Sequence, residues 1–291
     1  MRTPCGVRTK SSTSPISSSS ELEPARTALP VVEVDLGEGV RAAFTTRSGG
    51  VSSGAHASLN LGLNVDDDPA RVRANRRLVE AWSGRPVQFA SQVHGVRVAI
   101  VGPELPRGST PDSVAEVDAL VSATGAGVAV LVADCVPVLL ADPAAGVVGA
   151  VHAGRRGLAD GVIQSALAAM VGLGARADRI RAVIGPAICG ACYEVPADLR
   201  AEVAAVVPAS WSTTSWGTPA LDLPAGVAAT LAAAGVSRVE DLAICTLTDE
   251  RFYSHRSQRG GPPTGRFAGV IRTTAQIPGV SGVIGVGHLL A

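Results

Sequence analysis

Three valine-rich runs, Gly127–Val132, Val136–Ala141 and Val147–Val151, follow one another with little more than a turn between them. Each is short, bounded by glycine or turn residues, and reads as a buried strand. Gaps this short leave no room for regular helical crossovers, which argues against a simple doubly wound sheet. Further strands are expected at Arg97–Val101, Ala119–Ser122 and Arg181–Ile184, and in "DLAICTL", "RFYSH" and "RFAGVIR". Alternation in "VVEVDLGEGVRAAFTTR" predicts an early hairpin with Gly37 and Gly39 near its turn. Helices are expected over Pro69–Trp82, about Asp160–Val171, Ala197–Val206 and Pro224–Ala234, with Asp68 as N-cap of the first and Pro69 at its first position. These elements fit an α+β fold: a single domain of mixed β-sheets packed with helices.

The chain has 291 residues, 46% hydrophobic and 17% charged, so it can bury a sizeable core. Aromatics make up 3%, which disfavours a base-stacking surface for single-stranded nucleic acid. Formal net charge is zero, so the whole chain carries no electrostatic signature of DNA or membrane binding. Neither is expected as a partner. Lys10 is the only lysine, which removes a Schiff-base or Walker lysine from consideration. Residues 1–30 are Ser-rich, lack the apolar centre of a secretory signal, and read as a disordered tail before a domain over 31–291. No apolar run long enough for a membrane span follows, and the five cysteines do not form a secreted disulfide framework. A cytoplasmic protein is expected.

Cys135 and His152 each stand at the end of an apolar run, beside glycine-rich turns, where a fold can hold a reactive side chain at the edge of its core. His94 in "SQVHG" precedes a glycine and a strand. Two imidazoles and one thiolate make a three-ligand zinc set that leaves a fourth position open. The three are too far apart in sequence to be a local zinc motif, so spacing alone does not decide between ligands and structural residues. "HAGRRG" (152–157) joins a histidine, two glycines and two arginines between a strand and a helix, where backbone amides can hold an anion. Gly149 and Gly154 have GxxxxG spacing, but Arg155 and Arg156 follow where a Walker loop needs Lys-Ser/Thr. "CGAC" (189–192) has CxxC spacing without a second such pair and reads as structural, with Cys245 as a core cysteine. "TTRSGG" with Arg47, "SLNLG" with Asn60, and "SHRSQRGGPPTGR" with Arg256, Arg259 and Arg266 combine polar donors with glycine and together suit a phosphorylated or hydroxyl-rich small molecule.

In order along the chain, "FTTRSGGVS", "SLNLGLNVDDDPARVRANR", "QVHG", "DALVSATGAGVAVLVADCVPVLLAD", "AVHAGRRG", "IGPAICGACYEV" and "FYSHRSQRGGPPTGR" resemble the bacterial YfiH-like family, labelled laccase-domain or polyphenol oxidase and later described as purine nucleoside phosphorylases. The resemblance implies a YfiH-like α/β sandwich and a metal site of His94, Cys135 and His152, occupied by zinc with copper as an alternative. It implies purine nucleoside and phosphate as partners: phosphorolysis of adenosine, inosine, guanosine or methylthioadenosine, and hydrolytic deamination of adenosine. Arg47 and Arg156 are the candidates to balance phosphate charge, Asn60 to orient substrate, and Asp134, beside Cys135, to move a proton. Where the family has Trp after "HAG", this chain has Arg155. A multicopper laccase needs more ligands than His56, His94, His152, His255 and His288 supply. One redox-inactive zinc favours Lewis-acid chemistry instead. The alternatives are a cysteine hydrolase or amidase acting on a cell-wall precursor, with Cys135 as nucleophile, and a non-catalytic, metal-stabilised nucleoside-binding protein.

Overall fold

The computed structural model describes residues 29–102, 112–258, 261, 263–274 and 289–290. Nearly all of the tail expected at 1–30 lies outside these residues, as do Arg259 and His288.

The strands in chain order are β1 (Val31–Val34), β2 (Val40–Thr45), β3 (Val87–Phe89), β4 (Val98–Val101), β5 (Ala119–Ser122), β6 (Gly127–Val132), β7 (Val136–Asp142), β8 (Val147–Ala153), β9 (Arg181–Ile184), β10 (Trp211–Thr213), β11 (Pro219–Leu221), β12 (Arg238–Asp241), β13 (Phe267–Thr273) and β14 (Leu289–Leu290). The helices are α1 (Pro69–Ser83), α2 (Arg155–Asp160), α3 (Val162–Gly172), α4 (Ala197–Val206) and α5 (Leu223–Ala233). A five-stranded sheet runs β1-β2-β13-β6-β3 and a seven-stranded sheet runs β12-β9-β7-β8-β5-β4-β14, with β10 and β11 as a separate pair. Both large sheets are mixed. Parallel pairing occurs at β3–β6, β4–β5 and β9–β12, while β7 pairs antiparallel with both β8 and β9.

The valine-rich runs are explained by burial on two faces. Leu139 and Ala141 of β7, with Val148 and Ala150 of β8, meet Phe44, Val128, Val130 and Ile271 of the five-stranded sheet. Their neighbours Val138, Leu140, Val147 and Val151 turn the other way, against Ile163 and Met170 of α3 and Val227 and Leu231 of α5. Strands covered on both sides need apolar residues at every position rather than at alternate ones. The outer face of the five-stranded sheet is closed by α1, whose Val79 packs with Val87, Phe89, Ala129 and Val270. The order of layers is therefore helix, sheet, sheet, helix. Between the sheets, Gly185 lies so close to Phe44 that a Cβ there would come within 2.2 Å of its ring.

Several elements differ from the sequence reading. The helix expected over about Asp160–Val171 is α3, and a short helix the sequence reading lacked, α2, precedes it, the two separated at Gly161, which takes a φ of 101°. "DLAICTL" contributes only its first residue to a strand, β12, and a single bridge from Cys245 to Ala187. "RFYSH" forms no strand; Phe252 and Tyr253 are buried as a satellite cluster with Phe267 instead. Asp68 does cap α1, its side chain accepting from Ala70 N, and Gly84 closes the helix in the left-handed region.

Asp142, fully buried at the end of β7, fixes the turn into β8. Its Oδ1 accepts from the amides of Ala144 and Ala145, and its Oδ2 from Arg176 N and the Arg179 guanidinium. Burial opposes its charge, but the Arg176 amide and Arg179 outweigh burial and hold the carboxyl below its ordinary range. The stabilisation is therefore present above about pH 4 and lost as pH falls below it. Asp142→Ala is expected to lower stability at neutral pH by about 1.5–3 kcal/mol. In urea unfolding, the gap from wild type should narrow on acidification toward pH ~3.

Candidate metal centre and its cavity

The β7–β8 hairpin is in register Val136↔Ala153 and Pro137↔His152, which sets Cys135, one residue before β7, beside the end of β8 that carries His152. On the other side of β8, His152 N donates to Asp118 O just before β5, at 2.8 Å. The loop leading into β4 brings His94 to the same end. The ligating atoms of His94, Cys135 and His152 all lie within 4.8 Å of one another. Cys135 Sγ is 3.8 Å from His94 Nε2, and the two imidazoles meet edge to face with centroids 4.7 Å apart.

Asp118 organises this cluster. Its Oδ1 lies 2.8 Å from His152 Nδ1 and accepts from His94 N at 2.9 Å; its Oδ2 accepts from Gly95 N at 2.7 Å and Val93 N at 3.3 Å. With the Nδ1 proton donated to Asp118, the Nε2 lone pair of His152 is available as a ligand, the carboxylate–histidine arrangement of metal sites. Those amide contacts also hold the His94 loop, where His94 takes a φ of 60°, sparsely populated for a residue with a Cβ. Asp118 is fully buried. Burial opposes its charge, and the bonds from His152, Gly95 and His94 overcome it, keeping the carboxyl below the usual carboxylate range. Burial likewise opposes the Cys135 thiolate, yet the charge and hydrogen bonds of His152 and His94 bring the thiol down to about 6. His152 moves up to about 9 because Cys135 and Asp118 outweigh its own burial.

These residues fit a metal ion on two grounds. The donor set is two imidazoles and one readily ionised thiol, which zinc and copper both accept. Gly154 also leaves a cradle: a Cβ there would sit 2.8 Å from His94 Cδ2 and 3.3 Å from Cys135 Sγ. The glycine is kept for space at the centre, since its φ of −75° suits any residue.

The centre opens onto a cavity of about 590 Å³ whose walls include Arg73, Arg76, Asp112, Gln92, His255 and Arg266. Arg76 is buried, donates through Nε to Leu61 O and through Nη1 to Asp112 O, and stacks on Phe89. Burial draws its guanidinium down to about 10, so it is charged at neutral pH. Arg73 grips the Asp112 carboxylate with two bonds of 3.0 and 2.7 Å. Gln92 is locked at both ends of its amide by the Leu131 backbone.

The sequence-selected polar residues are distributed differently. Arg47 does not line the cavity; its Nε is spent on Ala57 O and its guanidinium stacks on Tyr253. Asn60 is buried and saturated, donating to Gly62 O and Asp67 Oδ2 and accepting from Gly62 N and Arg266 N, so it positions Arg266 rather than facing the cavity. Arg156 is exposed on α2. Asp134 lies next to the centre, but Thr246 Oγ1 donates to its Oδ1 and Arg256 N to its Oδ2, each at 2.6 Å. Both its oxygens are occupied and its backbone takes a φ of 89°. Arg155 engages the Tyr193 side chain, whose ring also carries the Arg256 guanidinium at 5.0 Å. Sequence reasoning missed Asp118, Arg73 and Arg76. The two arginines share a face of α1 at i, i+3, a signal that was available. A single aspartate before a strand carries none.

Residues 41–274 match the family described as multi-copper polyphenol oxidoreductase laccase, and the chain belongs to that family. A Streptomyces griseus relative, named purine nucleoside phosphorylase ORF3, is 52% identical over 233 residues, 79% of this chain and 92% of the relative. A Streptomyces coelicolor relative, also named purine nucleoside phosphorylase, is 49% identical over 241 residues, 81% and 97% of the two chains. Among solved structures, YlmD from Geobacillus stearothermophilus aligns with a TM-score of 0.74 at 35% identity, covering 82% of this chain and 93% of that one. The YfiH protein of Bacillus licheniformis aligns with a TM-score of 0.73 at 32% identity, covering 80% and 92%. Among the described residues no helix is long and apolar enough to cross a membrane.

Two substitutions test the centre. Asp118→Asn is expected to weaken metal binding by about 10–100-fold, read by chelator competition. Gly154→Ala should lower the metal content of the purified protein while far-UV circular dichroism stays that of wild type, because the atoms nearest the added methyl belong to the three ligands themselves.

Proposed function

We propose that this chain is a zinc-dependent purine nucleoside phosphorylase acting on adenosine, inosine, guanosine and methylthioadenosine, which also deaminates adenosine hydrolytically at the same centre. The observation that carries the proposal is the opening of His94, Cys135 and His152 onto one cavity whose wall also holds arginines. Relatives named purine nucleoside phosphorylase, about half identical to this chain, supply the reaction class.

His94, Cys135 and His152 would hold the zinc, and when bound it supplies redox-inactive Lewis acidity at that end of the cavity. In phosphorolysis a phosphate oxygen bonds to the ribose C1′ as the C1′–N9 bond breaks, and the purine departs with the glycosidic electron pair and takes up a proton. Phosphate brings negative charge, and planar guanidiniums are suited to receive it. Arg76 and Arg266 take this part in place of Arg47 and Arg156. Both are fixed: Arg76 by carbonyls of Leu61 and Asp112, and Arg266 by those of Thr264 and Gly265. Such prior positioning lowers the entropy lost on bringing phosphate and nucleoside together. Asp134 keeps Cys135 in place.

The test is to supply the zinc-loaded protein with inosine and phosphate and to follow hypoxanthine. Phosphate-dependent release is expected, and Cys135→Ala should reduce it at least ~100-fold, equivalent to about 2.7 kcal/mol of lost transition-state stabilisation. Nucleoside binding with no hypoxanthine would instead identify a binding protein.

One observation favours a cysteine hydrolase as the second reading: Asp118, His152 and Cys135 are linked in a row, the arrangement of an oriented base beside a nucleophilic thiol. A metal-bound thiolate is withheld from that role. Activity that survives complete zinc removal and is abolished by alkylating Cys135 would support the hydrolase; activity lost with zinc and restored with it supports the phosphorylase.

A further inference from the structure

The fold brings a second set of donors together, away from the histidine-containing centre. Cys189 and Cys192 lie on one tight turn, in which Cys192 N and Tyr193 N both donate to Cys189 O. Cys245 arrives from a distant segment through a parallel bridge to Ala187, with Ala187 N donating to Ile244 O and Thr246 N to Ala187 O. The three sulfurs lie within 4.8 Å of one another. All three cysteines are free and half-buried, so Cys245 is not the core residue its sequence suggests.

Hydrogen-bond donors reach two of the three sulfurs. The backbone amides of Cys189 and Leu247 donate to the Cys245 sulfur, as does the Thr248 side chain, and the Ala191 amide donates to Cys189. Three crowded thiols cannot all ionise beside one another unless a cation joins them. The turn is also rigidly seated. A Cβ on Gly190 would come within 2.7 Å of Asp222 and Ser212, and Asp222 is tied to the start of α5 as its N-cap.

We propose that Cys189, Cys192 and Cys245 form a second, thiolate-only metal site for a thiophilic closed-shell ion, zinc(II) or copper(I). Soft thiolates select such ions over hard ones. Among the described residues no fourth histidine, cysteine or carboxylate joins the group. Three-coordinate binding therefore suits copper(I), and zinc would take its fourth ligand from solvent. The site braces the primary centre from behind. Thr246, next to Cys245, donates to Asp134, next to Cys135, and Ile188 N, next to Cys189, donates to Asp134 O. An ion clamping the two cysteine segments would hold this strut in place whichever reaction the primary centre performs.

The reduced full-length chain is stripped with chelator and reloaded, in one arm with zinc and in a parallel arm with copper(I) under anaerobic conditions. Bound metal is counted by elemental analysis, and cobalt(II) replaces zinc to show thiolate charge-transfer absorption. Wild type is expected to hold two equivalents, and Cys135→Ala to keep one with strong thiolate absorption. Cys192→Ser should keep the primary centre's equivalent and lose most of that absorption. Should Cys192→Ser fail to fold, alkylation of wild type decides: bound metal is expected to protect all three cysteines, located by peptide mass. A single equivalent in wild type, no metal in Cys135→Ala, unprotected cysteines, or a Cys189–Cys192 disulfide in protein reloaded under reducing conditions would overturn the proposal. The arm with the tighter chelator-competed binding identifies the ion.

Discussion

One buried carboxylate holds the functional end of this molecule together. Asp118 has no solvent to stabilise its charge, and an ionised carboxylate in that position is costly unless its lone pairs are filled. They are filled by the His152 ring and by three consecutive amides of the His94 loop. The same interaction sets the tautomer of one imidazole and the backbone path of the other. Replacing it with water would leave His94 in a strained conformation with nothing to hold it there.

The scaffold around Asp118 is rigid for a related reason. β5, β8 and β7 lie side by side in the middle of the seven-stranded sheet, with the second sheet on one face and α3 and α5 on the other. Side chains projecting from the ends of such strands are positioned by many surrounding contacts, whereas a loop site would have few. The low aromatic content serves this packing. Valine, alanine and leucine fill closely spaced layers, and where one large ring does enter, at Phe44, a glycine at 185 makes room for it.

Much of this was legible in the sequence because the central strands are apolar at every position and end at glycine or turn residues. β5, β6, β9 and α4 match their expected limits, and His94, Cys135 and His152 meet as the family resemblance implied. What was not legible depends on contacts between distant segments. Asp118 has no periodicity to mark it. Asn60 was taken as a ligand-facing group, yet its amide is consumed in holding Arg266, a residue more than two hundred positions away. Arg47 and Arg156 sit in glycine-rich segments that look suited to anions, yet of the arginines so marked only Arg266, among the described residues, belongs to the cavity wall, beside Arg73 and Arg76 from α1. The cysteine pair at 189 and 192 acquires its third member only through the bridge that folds Cys245 against Ala187.

The pairing of β7 with β8 has a further meaning for how this chain matures. Side chains alternate across a strand, so sliding one strand past the other by a single position would swing His152 into the opposite layer, away from Cys135 and Asp118. An ion held by all three ligands therefore recognises only the correctly aligned hairpin. Capture of such an ion would draw the population of nearly folded molecules toward the one alignment that can chelate.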